Sequence, residues 1–244
     1  MSKIRKLYSQ AGQDLWVMRD VFDYKLHGYF LDIGAYNGVH LSNTYALEKN
    51  LNWNGICIEA DHETYSILKR NRLCACINTC VGKSGGQVEF ISGRGPYSGS
   101  REKRRDVELK EDIGSPVRIA HTLPLSQILD QHGAPEVIDY ISLDVEGMEE
   151  EVMQTFPFEH RRFLCATIER PSLGLRQTLA KHGYLLVSDQ PGMDAFYINK
   201  EMGASYTGKI MRRSSSAASS PWDRVCVMIK NVFYRGVRNS LRRL

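Results

Sequence analysis

The sequence predicts an α/β fold: a mainly parallel seven-stranded sheet that ends in an antiparallel hairpin, with helices on both faces. Three observations carry this reading. Short apolar runs alternate with segments of helical period from residue 29 onward, the pattern of strands joined by crossover helices. The first run closes on an acid and two glycines, in GYFLDIGAYNG, as a strand does when it turns into a helix beside a ligand. The last two runs are separated only by DQPGMD, which cannot hold a crossover helix, so they should pair antiparallel.

In chain order, strands are expected at Tyr29–Ile33, Gly55–Glu59, Ala75–Cys80, Val137–Leu143, Phe163–Ile168, Tyr184–Ser188 and Ala195–Asn199. Helices are expected at about 41–51, 62–72, 124–132, 147–155 and 172–182, with Asp61 placed to cap the second of them. Residues 92–116, with SGRGPYSGS, REKRR and GSP, read as a long mobile loop. Residues 201–220 include SSSAASSP and read as a flexible linker. Beyond them Val225, Met228, Ile229, Val232, Phe233 and Val237 recur at helical spacing, opposed by basic residues, so 221–244 reads as a basic amphipathic helix. The division is therefore an N-terminal helical segment (1–28), a core (29–200), the linker and the terminal helix.

At 244 residues, 42% hydrophobic and 25% charged, the chain can bury a full core as one domain, and a disordered or fibrous protein is excluded. The basic opening MSKIRKLYSQ lacks the apolar run of a signal peptide, and no stretch is long enough to cross a bilayer, so a cytoplasmic location is expected. The net charge of +4 is concentrated in REKRR at 101–105 and in the arginines after residue 211, which argues against a nucleic-acid partner for the fold as a whole. Six cysteines occur, at 57, 74, 76, 80, 165 and 226. Cys74, Cys76 and Cys80 alternate along one expected strand and should share a face, an arrangement that does not enclose a tetrahedral metal; buried, reduced thiols are the expectation.

The turn after the first strand holds the leading site candidates. Asp32 ends the strand, and Gly34 and Gly38 let the backbone pass close to a ligand at a helix N-terminus. A pyrophosphate-binding turn has the form GxGxxG, whereas here Tyr36 stands where the second glycine would be and would crowd a pyrophosphate. S-adenosyl-L-methionine carries no phosphate, so the turn favours it over NAD. Glu59 ends the second strand and can accept two hydrogen bonds from a ribose diol. Asp144 and Glu146 follow a later strand and Glu169 follows the next, all at the carboxyl edge where open α/β sheets bind ligands. One of these carboxylates could act as a general base, or Asp144 and Glu169 could hold Mg²⁺. An NAD-dependent oxidoreductase and a non-catalytic binding module are the competing readings, and cofactor binding separates the three.

These segments together resemble the FkbM-type methyltransferases over about Tyr8 to Asn199, and hence a Rossmann-like class I methyltransferase fold. The matching stretches are YSQAGQDLWV, FLDIGAYNGVHLSNT, ICIEADHETYSILKRN, CVGKSGGQVEF, LPLSQIL and IDYISLDVEGMEEEVM, the last carrying a D-x-E-G-x-E pattern in Asp144, Glu146, Gly147 and Glu149. The resemblance implies S-adenosylmethionine-dependent O-methylation of a sugar, nucleotide-sugar or lipid-linked glycan. It implies cofactor contacts along the turn, including Ala35, Tyr36 and Asn43, at Glu59 and Ala60, and after Cys80 at Val81. It also implies that Ser9, Gln10, Gln13 and Asp14 fold over the pocket. Two departures stand out: Ser126 where the family often has an aspartate, and Ala60 where it often has proline. The terminal helix has no counterpart in the family. It either docks on an anionic membrane at its inner face or packs on the core or on a second subunit of a homo-oligomer, and liposome binding with and without residues 212–244 separates these readings.

Overall fold

The computed structural model describes residues 6–93, 95–100, 115–190 and 193–206, so the linker from 207 and the terminal helix lie outside the described residues. The chain enters through a short helix, α1 (Gln13–Leu15), that continues as a π-helical stretch over Trp16–Val21. The main strands are β1 (Tyr29–Ile33), β2 (Asn54–Glu59), β3 (Ala75–Asn78), β8 (Val137–Leu143), β9 (Arg162–Glu169), β10 (Tyr184–Asp189) and β11 (Asp194–Asn199). They form a seven-stranded sheet in the order β10-β11-β9-β8-β1-β2-β3. Within it β11 alone runs against its neighbours, pairing antiparallel with both β9 and β10, as the short DQPGMD connection requires.

Alternation along the strands divides the core between two faces. On one, Leu31, Ile33, Ile56 and Ile58 pack under the helices α4 (Leu125–Gln131), α5 (Glu149–Met153) and α6 (Leu173–Lys181) through Ile128, Val152 and Leu175. On the other, Phe30, Cys57, Tyr140 and Ile198 are covered by Trp16, Val17 and Met18 and by the helices α2 (Tyr45–Leu51) and α3 (His62–Asn71) through Leu47 and Leu68. The entering segment is thus part of the core, with Trp16 donating to the Tyr206 hydroxyl at 3.0 Å and packing edge-on against Phe196. Asp61 caps α3 as expected, accepting from the N–H groups of Glu63 and Thr64.

Several expectations need correction. The helix expected from 41 begins at Tyr45, because Leu41 takes a left-handed φ of 57° and the Ser42 hydroxyl accepts from the N–H groups of Thr44 and Tyr45. The strand expected over Ala75–Cys80 breaks at Thr79. Its last residues become β4 (Cys80–Val81), which leaves the main sheet for a second, four-stranded one with β5 (Gln87–Ile91), β6 (Gly99–Ser100) and β7 (Val117–Leu123). Cys80 therefore packs with Phe90 and Ala120 in the small sheet and does not share a face with Cys74, which belongs to the main core. Part of the stretch expected to be a loop, 92–116, is structured, since β6 lies within it; residues 101–114 lie outside the described residues.

One buried cation ties the turn after β1 to the helices around it. Arg72, at the end of α3, has no exposed side-chain surface; its Nε donates to Glu48 at 2.8 Å, Nη2 to the Thr44 hydroxyl at 3.0 Å and Nη1 to the Gly38 carbonyl at 3.3 Å. Asp32 lies 3.9 Å from Nη1 and accepts from the Thr44 hydroxyl at 2.6 Å. The guanidinium also covers the Phe30 and Tyr45 rings. Burial works to raise the Glu48 carboxyl, but the Arg72 charge and its hydrogen bond outweigh that and hold it down to about 2. Because that value is depressed, the stability Glu48 contributes is complete above its ordinary range and is lost as pH falls toward 2. Replacing Arg72→Met removes the buried countercharge that Asp32 and Glu48 share, leaving Glu48 with Lys49 at 2.9 Å and Asp32 with the Thr44 hydroxyl, and is expected to cost about 3–5 kcal/mol in urea unfolding at neutral pH. Adding Glu48→Gln to that variant should restore part of the loss. A wild-type unfolding midpoint for Arg72→Met contradicts this role for the guanidinium.

Candidate functional site

At the carboxyl end of β1 the backbone turns sharply, and packing dictates the glycines there. Gly34 has φ 84°, and a Cβ on it would lie 1.7 Å from the backbone oxygen of Asp144, so only glycine lets the ends of β1 and β8 approach this closely. Gly38 has φ 78°, and a Cβ there would meet Leu68 at 2.6 Å and Arg72 at 2.8 Å. Both glycines are thus required by protein contacts, in addition to any approach of a ligand. Tyr36 also takes a left-handed φ, 47°, held by its N–H donating to Glu59 at 2.9 Å.

A cleft opens beside this turn. Gly34, Tyr36, Glu59, Ala60, Val81 and Asp144, all expected site residues, line it together. Ile33, Ile58, Phe90 and Met148 supply apolar wall, and Pro96, Ser98 and Ser100 close it from the side of the small sheet. Glu59 is 8% exposed; one carboxylate oxygen accepts from the Tyr36 N–H and the other from the Asp61 N–H at 2.7 Å, which leaves each oxygen further acceptor capacity. Burial above all, with the nearby Asp61 charge, pushes its carboxyl up to about 7 against the pull of those backbone N–H groups.

The remaining expected residues stand around this cleft without lining it. Asp32 faces the buried Arg72 network, and burial pushes its carboxyl up, against the Arg72 charge and the Thr44 hydrogen bond. Ala35 is buried and donates its N–H to Ile58 at 3.0 Å. Gly38 packs on α3. Asn43 donates to the Ser142 hydroxyl at 3.0 Å, and its Oδ1 is buried with no hydrogen-bond partner. Gln10 is exposed on the entering segment, where Ser9 bridges to Leu41. Gln13 donates to Asp194 at 2.9 Å, and Asp194 is the register partner of Glu169, so the entering segment reaches the rim of the sheet.

At that rim carboxylate oxygens of Asp144, Glu146 and Glu169 lie within 4.8 Å of one another. Asp144 opens to solvent on one side and is surrounded by protein on the others. Burial, then the charges of Glu169 and Glu146, hold its carboxyl well above the usual carboxylate range. Arg170 bridges the other two, with Nη2 3.0 Å from Glu146 and 2.6 Å from Glu169. Glu146 and Arg170 both take left-handed backbone, φ 53° and 38°, a strained pair at the point where β8 and β9 end. Oε2 of Glu169 is buried with no hydrogen-bond partner. Glu149, beside them, accepts from the Val145 and Gly147 N–H groups, and burial lifts it to about 7.

Arg72, Arg170 and the small-sheet wall were not among the sequence-derived candidates. The alternation in QVEFI, with Val88 and Phe90 on one side, is the local signal for β5; nothing local marks either arginine as buried or bridging.

Comparison with solved structures finds similarity to precorrin-6Y C5,15-methyltransferase from Geobacter metallireducens, at 11% identity and a TM-score of 0.42, covering 80% of this chain and 89% of that one. A human methyltransferase 10 domain containing protein is similar at 13% identity and a TM-score of 0.39, covering 77% and 80%. No curated protein sequence matches the chain significantly. Residues 32–186, well over half of the sequence and spanning the turn, the cleft and the three carboxylates, match the Methyltransferase FkbM domain. The chain belongs to the FkbM methyltransferase family and is an S-adenosylmethionine-dependent methyltransferase.

Proposed function

We propose that the chain methylates a hydroxyl oxygen of a sugar or glycan intermediate, with Asp144 accepting the proton that the hydroxyl loses. The observation that carries this is the cluster of Asp144, Glu146 and Glu169 at the rim of the cleft whose wall holds Glu59. The residues present suit S-adenosylmethionine. Glu59 has acceptor capacity for the ribose hydroxyls, and Ile58, Val81 and Phe90 give apolar wall for the base. When bound, the cofactor supplies an electrophilic methyl group on a sulfonium. The protein's task is then to align a hydroxyl with that methyl and to take its proton.

Arg170 decides between the three carboxylates. Its guanidinium supplies countercharge to Glu146 and Glu169, while Asp144 keeps a raised proton affinity beside the cleft. A carboxylate with raised proton affinity is the better base toward a hydroxyl. The spacing of the cluster also suits Mg²⁺, but the same guanidinium already supplies countercharge to two of the three carboxylates a metal would use. Carboxylates that accept from neighbouring hydroxyls favour a polyol acceptor, and the family resemblance favours a sugar, nucleotide-sugar or lipid-linked glycan. We further propose that the protein works at the cytoplasmic side, with the basic terminal segment available for a membrane or a second subunit. Among the described residues no helix is long and apolar enough to cross a membrane.

The Glu59 carboxyl gives this reading a pH signature. Its folded value is raised to about 7, so below that pH the group is protonated and accepts hydroxyls less well. Affinity for S-adenosylhomocysteine measured by calorimetry should fall as pH drops through 7, by up to about tenfold per unit, and Glu59→Gln should flatten the profile. An identical profile in that variant contradicts the role of Glu59. For the proton acceptor, Asp144→Asn should lower kcat by about 10²–10⁴ with labelled cofactor and a panel of sugars and sugar nucleotides, while S-adenosylhomocysteine still binds. Undiminished activity of the variant, a strict requirement for Mg²⁺, or transfer to amines alone would each overturn the proposal.

A further inference from the structure

The CACINTC segment takes no part in the chemistry above, and the structure places its first thiol in an unexpected partnership. Cys74 lies in the short connection between α3 and β3, and its Sγ is 3.5 Å from Sγ of Cys57 in the middle of β2. Both are free thiols in the core that packs around Phe30, with Cys57 fully buried and Cys74 9% exposed. The connection itself reaches the surface, since the intervening Leu73 is 87% exposed. Cys76, the register partner of Cys57, points its thiol to the backbone oxygen of Cys74 at 3.5 Å.

We propose that Cys57 and Cys74 form a peroxide-sensitive dithiol, which closes to a disulfide when a hydroperoxide is present and weakens cofactor binding by displacing the loop that carries Arg72. The nucleophile is Cys74. The Cys57 thiol, 3.5 Å away, lowers its proton affinity, with the nearby Cys76 thiol and the Arg72 charge assisting, so it presents a thiolate to a small oxidant arriving from the exposed side of the loop. Attack on hydrogen peroxide forms an S–O bond, breaks the O–O bond and releases hydroxide, leaving a sulfenic acid at Cys74. The Cys57 sulfur then attacks that sulfur; the S–S bond forms, the S–O bond breaks, and the oxygen leaves as water with the Cys57 proton. In sum two thiols are oxidised to one disulfide and one peroxide is reduced to two waters.

The consequence follows from what the loop holds. A disulfide requires the sulfurs at about 2 Å, well inside their present separation. β2 is fixed between β1 and β3, so the closing movement falls on the connection that begins with Arg72. Arg72 is the residue that anchors Glu48, Thr44 and the Gly38 carbonyl, and therefore the turn beside the cleft. Cys57 is itself the register partner of Asp32 across β1 and β2. The link between the thiols and the cofactor rests on the cleft being the cofactor site, as proposed above; the cross-link itself does not.

The experiment uses the full-length protein, reduced and then exposed to stoichiometric hydrogen peroxide, with remaining thiols blocked and tryptic peptides mapped by mass spectrometry. Trypsin cuts at Lys69, Arg70 and Arg72, so a Cys57–Cys74 disulfide appears as two joined peptides. The expected result is that linked pair in the wild type and in Cys76→Ser, its absence in Cys57→Ser and Cys74→Ser, and its reversal by dithiothreitol. Affinity for S-adenosylhomocysteine should fall about tenfold on oxidation and recover on reduction, with no such change in Cys57→Ser. Sulfinic acid without a cross-link, or a Cys74–Cys76 pair, overturns the dithiol. A cross-link with unchanged affinity overturns its link to the cofactor. If the reduced protein binds no S-adenosylhomocysteine while the cross-link still forms, the cofactor-site reading is the part that fails.

Discussion

The architecture of the cleft depends on one buried guanidinium. Arg72 has no exposed side-chain surface, yet it reaches a carboxylate on α2, a hydroxyl at the start of α2 and a carbonyl in the turn after β1, and it lies close to Asp32. A charge removed from water this completely is tolerated only when its donors are used and countercharge is near, and both conditions hold here. The arrangement explains why the acid that ends β1 does not line the cleft. Asp32 faces the arginine on the opposite side of the strand and sets the shape of the turn from behind.

With the turn fixed, two carboxylates of different character face the same space. Glu59 is held by two backbone N–H groups, which orient it toward whatever occupies the cleft. Asp144 stands at the other end, where burial, and then the charges of Glu169 and Glu146, raise its affinity for a proton. Gly34 makes their proximity possible, because any side chain there would collide with the Asp144 backbone. Arg170 completes the set by fixing the two neighbouring carboxylates at the cost of left-handed backbone at Arg170 and Glu146.

Much of the main sheet could be read from the sequence because its strands are fully buried apolar runs: β1 and β8 begin and end where expected, and the hairpin of β10 and β11 followed from the length of one connection. The four-stranded sheet could not. β4 is two residues long, β6 likewise, and β4 pairs with β7 far along the chain, so no local pattern marks them. Its first strand also split the alternation through Cys74, Cys76 and Cys80 that had looked continuous. The acidic site residues were legible because they sit at strand ends, a position fixed by topology. The two arginines were not, since burial and bridging are properties of the assembled fold. The glycines were found for an incomplete reason: their motif suggested a ligand, and the structure adds the protein atoms that forbid a side chain.

The central claim is that the cleft between Glu59 and Asp144, shaped by the Arg72 network, is where the methyl donor binds. A crystal structure of the complex with S-adenosylhomocysteine tests it most directly. The account predicts ribose hydroxyls on the Glu59 carboxylate, the base against Ile58, Val81 and Phe90, and the sulfur directed toward Asp144. A ligand bound elsewhere, with Glu59 contacting only the Tyr36 and Asp61 N–H groups, would contradict it.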